Sequence, residues 1–429
     1  MTKILIVSNP GFHNKGDAAI VLGALKTLRS SVENAEISLS SSHLEFESTR
    51  CDAKLVNAID PSSKDKKFIV RAYRFFISYL QHISLATLYT VFGLNVIPGG
   101  VIKREILEEY YNSDLIIAAL DDSFTTLYGP GAFNHNFCCI FLAKLLKKPV
   151  VLYAGSIGPF KNKFYDLAGR YIINKVDLIT LREEISLEYL NKIGINKPPM
   201  HVTADLAFAL HPSAPERAME ILAFEGISKT DGPLIGISLS RVISKWAFPN
   251  LNDAEDKYQK YIDLMAQMVD HVIREFSATI VFIPQVIGPT KENEDRDTAR
   301  DIYQLTKNKD KIKLIENEYS PEELRSVTGK FDLFIGARTH AIISAALMCI
   351  PFVAIEYESH KTRGIIGKML NCEEFVYDIR TLDLDTLTSK IDDVWLNRVE
   401  IKDELAIKIE CMEERALKNG ELVKKVVVH

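Results

Sequence analysis

Side chains that can bind anions or move protons follow two consecutive apolar runs towards the end of the chain. They are Arg338 and His340 after the run 331–336, and Glu356, His360 and Lys361 after the run 351–355. An arginine fork matches a carboxylate or a phosphate, and a histidine exchanges a proton near neutral pH. Residues two apart in an extended segment point the same way, so Arg338 and His340 are expected to face one ligand. The pattern predicts an enzyme with an anion-binding edge; the alternative is a structural arginine and a capping histidine.

Two further polar residues are predicted to share this edge. Arg241 follows the apolar run 234–239, and Gln285 follows the run 281–284. If these runs form neighbouring parallel strands, both side chains lie at the same carboxyl edge as Arg338. Two arginines would suit a ligand with two anionic groups, although a surface salt bridge is an alternative for either one alone. Lys361 is interpreted either as a phosphate ligand or as a solvated side chain.

The segment after the first apolar run contains Asn14, Gly16 and Asp17. It resembles a phosphate loop only loosely, because it matches neither GxGxxG nor the Walker A pattern. Gly16 would let the backbone approach a ligand closely, and Asp17 suits either catalysis or a helix N-cap.

Two other predicted strand ends in the N-terminal half are polar or glycine-bearing. Gly158 lies at one of them, and the pair Asp121 and Asp122 closes the other. Paired carboxylates can bind sugar hydroxyls or act as a base. Without a third ligand nearby, the pair does not predict a metal site.

Short apolar runs alternate with longer helical patterns, which is typical of parallel sheets covered by helices. Strands are predicted near 3–8, 35–40, 53–57, 114–119, 149–154, 177–181, 199–203, 234–239, 278–283, 312–315, 331–336 and 351–356. Helices are predicted at 16–30, 137–147, 161–174, 183–193, 257–276, 292–306, 321–328, 340–349, 361–370 and, as one long element, 384–419.

A chain of 429 residues exceeds one ordinary core, and prolines and glycines interrupt the pattern near 210–232. We therefore predict an α/β protein with two doubly wound Rossmann-like domains facing a cleft, 1–210 and 211–429. Such domains bind ligands at the carboxyl ends of their strands.

The segment 68–102 departs from this plan as an apolar helical insertion. Between Arg74 and Lys103 no residue is charged apart from the titratable His82. Three interpretations stay open: a buried or oligomer-forming helix, a helix docked on a membrane surface beside basic residues, and a transmembrane span.

Composition narrows the class of protein. A net charge of -5 argues against a nucleic-acid-binding surface. The six cysteines form no CxxC pair, which suggests reduced thiols in a cytoplasm. No signal peptide precedes the first predicted strand, so we expect a cytoplasmic protein, either free or peripheral to the inner face of the membrane.

Taken in order, these short motifs resemble those of the polysaccharide pyruvyl transferase family. The matching pieces are Asn14-Lys15-Gly16-Asp17, Gly155-x-x-Gly158-Pro159, Thr180-Leu181-Arg182-Glu183-x-x-Ser186, Asp205, Ile283-Pro284-Gln285, Arg338-x-His340, Pro351, Tyr357 and Lys361. The residues 118–123 depart from it, since family members often carry a glycine-rich turn there. The resemblance implies a fold similar to GT-B glycosyltransferases and transfer of pyruvate from phosphoenolpyruvate onto sugar hydroxyls, usually as a cyclic ketal.

On this interpretation phosphoenolpyruvate is the donor and no further cofactor is expected. His340 would be the general acid, Arg338 and Arg241 would clamp the two anionic groups, and Lys361 would assist the departing phosphate. Asp17 or Asp121, expected on the N-terminal acceptor side, would be the base. Asn14, Gly16, Gly158 and Gln285 are predicted to contact substrate.

Two other classes stay open at this point. One is a nucleotide-sugar glycosyltransferase of the GT-B type, which also binds an anionic donor. The other is a degenerate, non-enzymatic homologue associated with the membrane. Retention of Arg338, His340 and Lys361 together argues against the second. The expected partners are a sugar acceptor, lipid-linked or free, and further copies of the chain.

Overall fold

The structure is a computed structural model, and it describes residues 1–7, 11–59, 68–93, 104–227, 232–357 and 361–427. Side chains are described in these ranges except for 68–75 and 104. The chain divides into two compact units. The first unit comprises Met1–Phe12, Ile20–Ala209 and Arg415–His429, and the second comprises His13–Ala19 and Leu210–Glu414.

The first unit is built on a parallel sheet of seven strands in the order β3-β2-β1-β4-β5-β6-β7. The strands are β1 Thr2–Ile6, β2 Ala35–Ser41, β3 Lys54–Asn57, β4 Leu115–Ala118, β5 Val150–Gly155, β6 Leu178–Leu181 and β7 Met200–Val202. The helices are α1 Lys15–Ser31, α2 Leu44–Glu47, α3 Phe68–Phe92, α4 Arg104–Asn112, α5 Pro130–Leu145, α6 Lys163–Ile173 and α7 Glu184–Lys192. Every residue of β4, β5 and β6 is buried, as expected for parallel strands covered on both faces.

The second unit contains a parallel sheet of six strands in the order β10-β9-β8-β11-β12-β13. The strands are β8 Leu234–Ser238, β9 Thr279–Phe282, β10 Ile312–Leu314, β11 Leu333–Gly336, β12 Phe352–Glu356 and β13 Val376–Asp378. The longer helices are α8 Pro215–Phe224, α9 Ala254–Phe276, α10 Asp295–Leu305, α11 Pro321–Thr328, α12 Thr339–Leu347, α13 Leu384–Leu396 and α14 Arg398–Val427, whose last residues from Arg415 belong to the first unit.

The predicted fold class is confirmed, and each predicted strand coincides with an observed one. The sequence analysis did not predict β13 or the helices α2, α4 and α8. The predicted long helix 384–419 is wrong in one respect, because it breaks at Asn397 into α13 and α14. Asn397 caps α13 by donating its backbone N–H to the Asp393 carbonyl, and its side-chain amide donates to that carbonyl as well.

The apolar segment forms α3, while its end at 94–102 lies outside the described residues. Tyr79 and Ala86 on one face of α3 join the core of the first unit. Phe76 and Phe92 remain 63% and 66% exposed. Within the described part of the chain, no helix combines the length and apolar character that crossing a membrane requires.

Candidate active site

The carboxyl edge of the second sheet gathers most of the predicted site residues. Strands β8, β9, β11 and β12 are neighbours in this sheet and run parallel, so their ends meet at one edge. The residues that follow these ends are Ser240 and Arg241 after β8, Gln285 after β9, Arg338 after β11, and Tyr357 after β12. The prediction that these strand ends are adjacent is therefore confirmed.

Arg338 is a largely buried cation at this edge, with a side chain 13% exposed. One terminal nitrogen donates to Ser240 Oγ at 2.7 Å and to Asp295 Oδ1 at 2.9 Å. Burial alone would lower the pKa of Arg338, but the negative charge of Asp295 and its hydrogen bond, together with the charge of Asp17, outweigh burial and raise the pKa. Its Nε–H meets no hydrogen-bond acceptor among the described residues. Arg338 is thus a fixed cation with one donor still available.

Asp295 holds both Arg338 and the loop after β9. Its carboxylate accepts from the backbone N–H groups of Gln285, at 3.2 Å, and Val286, at 2.9 Å. The side chain is 2% exposed, so the pair with Arg338 is shielded from water on the carboxylate side. The sequence analysis missed Asp295, which opens α10. The one signal in the sequence is an acidic residue at the start of a predicted helix soon after a predicted strand end.

His340 lies in the first turn of α12 and is 7% exposed. Gly16, in the first turn of α1, lies directly against it: a Cβ atom at Gly16 would be 2.4 Å from His340 Nδ1 and 2.7 Å from His340 Cγ. The predicted close approach at Gly16 is therefore present, but its partner is the imidazole of His340.

The segment before α1 is bound to the loop after β9. The Lys15 N–H donates to the Gln285 carbonyl at 2.8 Å, and the Ile287 N–H donates to the His13 carbonyl at 3.2 Å. Asn14 Oδ1 accepts from the Gly16 N–H at 3.0 Å, which turns the chain into the helix. Lys15 is buried and forms an ion pair with Glu318. These bonds hold the first turn of α1 in place beside Arg338 and His340.

Asp17 belongs to this same group of residues. It is half-buried, and its charge contributes to the raised pKa of Arg338. The sequence analysis placed Asp17 with the N-terminal half, whereas His13–Ala19 pack with the second unit. The reason is the backbone pairing of Asn14 with Val286, which the chain order does not reveal.

Three other predicted residues at this edge have different surroundings. Arg241 pairs with Glu255 and stacks over the Tyr258 ring at 3.8 Å, so the salt bridge left open by the sequence analysis is present. Glu356 is 2% exposed, with Arg363 3.1 Å away. Burial and the nearby Asp378 raise its pKa, although Arg363 opposes them. Lys361 is half-buried at the start of the next helical turn. His360 lies outside the described residues.

A second cluster lies at the carboxyl edge of the first sheet. Arg182, fully buried after β6, donates to Asp205 Oδ2 at 2.7 Å and to Ser156 Oγ at 2.9 Å. Its remaining nitrogen is 3.9 Å from Asp122 Oδ1. Arg182 and Asp205 belong to the short motifs that resemble the family, but no role was predicted for either residue.

Asp121 lies in this second cluster. Burial and the adjacent charge of Asp122 raise its pKa, while Ser123 and Arg182 oppose the shift. Gly158, at φ 81°, packs against the Tyr189 ring, where a Cβ atom would be 2.1 Å away from the ring. This contact accounts for the glycine without a ligand. Over the described residues, no group of three or more His, Cys, Asp and Glu side chains is arranged to hold a metal ion.

Comparison with solved structures defines the class of fold. A glycosyltransferase from Rickettsia africae is similar with a TM-score of 0.57 and 11% identity, covering 100% of this chain and 98% of that one. A UDP-N-acetylglucosamine 2-epimerase assigned in Listeria monocytogenes is similar with a TM-score of 0.59 and 11% identity, covering 97% and 93%. The fold is therefore that of the GT-B glycosyltransferases and related epimerases.

Sequence comparison defines the family. The polysaccharide pyruvyl transferase model matches residues 14–360, and the chain belongs to this family of transferases. It is also 25% identical to the amylovoran biosynthesis protein AmsJ of Erwinia amylovora, over 97% of each chain. The matched range contains Gly16, Asp295, Arg338 and His340 of the second unit and the cluster around Arg182 in the first unit.

Proposed function

We propose that the protein transfers pyruvate from phosphoenolpyruvate to hydroxyl groups of a sugar in a polysaccharide or glycolipid precursor, forming a ketal. The observation that carries the proposal is that Arg338, 13% exposed, and buried His340 both follow the end of β11, within a chain of the pyruvyl transferase family. The name of AmsJ supports a role in exopolysaccharide biosynthesis. We place the reaction in the cytoplasm.

The donor carries a carboxylate and a phosphate. Arg338 offers a fixed positive charge and an available Nε–H. The start of α12 adds the positive end of the helix dipole. Lys361, half-buried near the same edge, suits the phosphate. Arg241 is assigned a lesser part, since Glu255 already neutralises it.

In the proposed reaction His340 donates a proton to the methylene carbon of the enol. The adjacent carbon then becomes electrophilic, a sugar hydroxyl oxygen bonds to it, and the bond to the phosphate oxygen breaks. A second hydroxyl then bonds to the same carbon and closes the ketal, and its proton leaves with the released phosphate. His340 is buried and packs closely against Gly16, which limits where its ring can lie.

A base must take the proton of the attacking hydroxyl. Asp17 is favoured over Asp121 because it lies in the same unit as His340 and contributes to the field around Arg338. Asp121 has a raised pKa, which suits a base working near neutral pH. Acceptor recognition is assigned to the edge of the first sheet that carries Asp121 and Asp122.

Calorimetric titration of the full chain with phosphoenolpyruvate, and separately with UDP-sugars and GDP-sugars, tests the donor class. Saturable binding of phosphoenolpyruvate alone supports pyruvate transfer. Binding of a nucleotide sugar without phosphoenolpyruvate binding would instead indicate a glycosyltransferase.

A further inference from the structure

Helix α6 of the first unit carries an apolar stripe that faces solvent. Phe164, Leu167 and Tyr171 are 71%, 66% and 52% exposed, although their spacing places them on one side of the helix. The opposite side, with Ile172 and Ile173, is buried in the core. A surface helix normally turns its apolar stripe inward, so an outward stripe indicates a surface that is covered by a partner.

The apolar surface continues from α6 across α5 to α3. Half-buried Phe137 and Phe141 stack on one another along α5. On α3, Phe76, Leu80 and Phe92 are exposed. Tyr79 of α3 bonds to His135 of α5 at 2.8 Å, and Phe133 of α5 packs against Tyr165 of α6 with ring centroids 4.9 Å apart, which fixes the three helices side by side.

The charged residues next to the α6 stripe are almost all positive. Lys161, Lys163, Arg170 and Lys175 are exposed, and the Lys175 ammonium lies 4.7 Å from the Tyr171 ring centroid. The one acid within α6, Asp166, already accepts a hydrogen bond from Tyr189 at 2.6 Å. An apolar stripe with a cationic margin is the pattern that binds the interface of an anionic bilayer.

We propose that this surface, formed by the outward faces of α3, α5 and α6, docks on an anionic lipid membrane. A second copy of the chain fits less well, because a symmetric contact through the same stripe would place the lysines and arginine of both copies together. The inference does not depend on the transfer reaction.

The proposed surface adjoins the polar edge of the first sheet. Exposed Leu127 and Tyr128 lie in the loop that bonds to the start of α6, through the Lys161 N–H and Thr126 Oγ1. The Tyr128 hydroxyl donates to Asp122 Oδ2 at 2.7 Å. Docking would therefore bring the edge with Asp121 and Asp122 close to sugars carried on lipid.

Flotation of the full chain with vesicles tests the proposal. Wild type should float with phosphatidylcholine vesicles that contain phosphatidylglycerol and float poorly with phosphatidylcholine alone. The double variant Phe164→Ser with Leu167→Ser should bind about tenfold less or weaker still. Lys163→Glu should weaken binding to the anionic vesicles. The matched control is Met219→Ser with Phe224→Ser on α8, which removes two apolar side chains, 50% and 75% exposed, from the second unit and should float as wild type does.

The substituted residues are exposed, so the variants should keep the wild-type circular dichroism spectrum. Wild type that fails to float with the anionic vesicles, or a double variant that floats as well as wild type, would overturn the proposal. Sedimentation velocity supplies the other decisive result: a wild-type dimer that the double variant loses, without vesicle binding, would assign the surface to a second copy.

Discussion

Gly16 and His340 are in direct contact, since a Cβ atom at Gly16 would lie 2.4 Å from the Nδ1 atom of His340. The two residues are far apart in the chain, and both belong to the motifs shared with the family. The backbone bonds of Lys15 and Ile287 fix the first turn of α1 at this distance. The position of the proposed general acid therefore depends on the absence of a side chain at Gly16.

Gly16→Ala should displace His340 and lower turnover by about tenfold to a hundredfold, since misplacing a catalytic group is costly. Donor binding should change less, because the atoms nearest to the new methyl group all belong to His340. Steady-state kinetics with a separate donor titration measures both effects. Gly131→Ala on α5 is the matched control, because no atom lies within 4 Å of its Cβ position. Equal kinetics for Gly16→Ala and wild type would show that the contact has no catalytic consequence.

His340→Ala should lose most turnover, by about a hundredfold to ten-thousandfold, the range that a general acid contributes. Phosphoenolpyruvate should still bind, because the charge that attracts it resides on Arg338. Single-turnover assays and calorimetry separate the two steps. Unchanged turnover in this variant would remove His340 from the role of acid.

Asp295→Ala should destabilise the second unit by about 3–5 kcal/mol, because it leaves Arg338 buried without its carboxylate partner. It also removes the acceptor for the Gln285 and Val286 N–H groups. Asp295→Asn keeps the shape and should cost less. Urea denaturation measures the loss, with Asp310→Ala on the exposed surface as the control. A loss no larger than that of the control would mean that the pair does not stabilise the fold.

Asp121→Asn should stabilise the protein at neutral pH. Burial and Asp122 raise the pKa of Asp121 in the folded state, so folding favours its protonated form. The stability that protonated Asp121 contributes to the fold is fully present below the unfolded pKa of about 3.9, and it is lost as the pH rises through the folded pKa. The gain from asparagine should thus be present at pH 7 and vanish below about pH 4. Urea denaturation across this range, with exposed Glu33→Gln as the control, checks the sign. A variant less stable than wild type at pH 7 would contradict it.

Strands β1 to β12 were predictable because each contains a short apolar run next to a helical pattern, whereas β13 was missed. The polar residues at the ends of β11 and β12 directly follow these runs in the sequence. Asp295 was not predictable, since its contact with Arg338 joins residues 43 positions apart and depends on how α10 begins. The packing of residues 14–17 with the second unit was not predictable either. It depends on a backbone hydrogen bond from Lys15 to Gln285, and backbone hydrogen bonds do not require particular side chains that a sequence would reveal.

The departure from the family at 118–123 has a structural counterpart. Ala119 adopts φ 54°, in the left-handed region that glycine enters without strain. Glycine would adopt this conformation with less strain than the alanine that is present. The residue type at 119 can be read from the sequence, whereas its positive φ angle is seen only in the structure.

The most direct test of the central claim is calorimetric titration of phosphoenolpyruvate into wild type, Arg338→Ala and Arg338→Lys. Arg217→Ala, which removes an exposed arginine on α8, is the control, and thermal unfolding confirms that each variant is folded. We predict saturable binding to wild type and to the control, with a loss of about tenfold or more in Arg338→Ala and a smaller loss in Arg338→Lys. Wild-type affinity in folded Arg338→Ala would contradict the account, because the donor would then bind elsewhere.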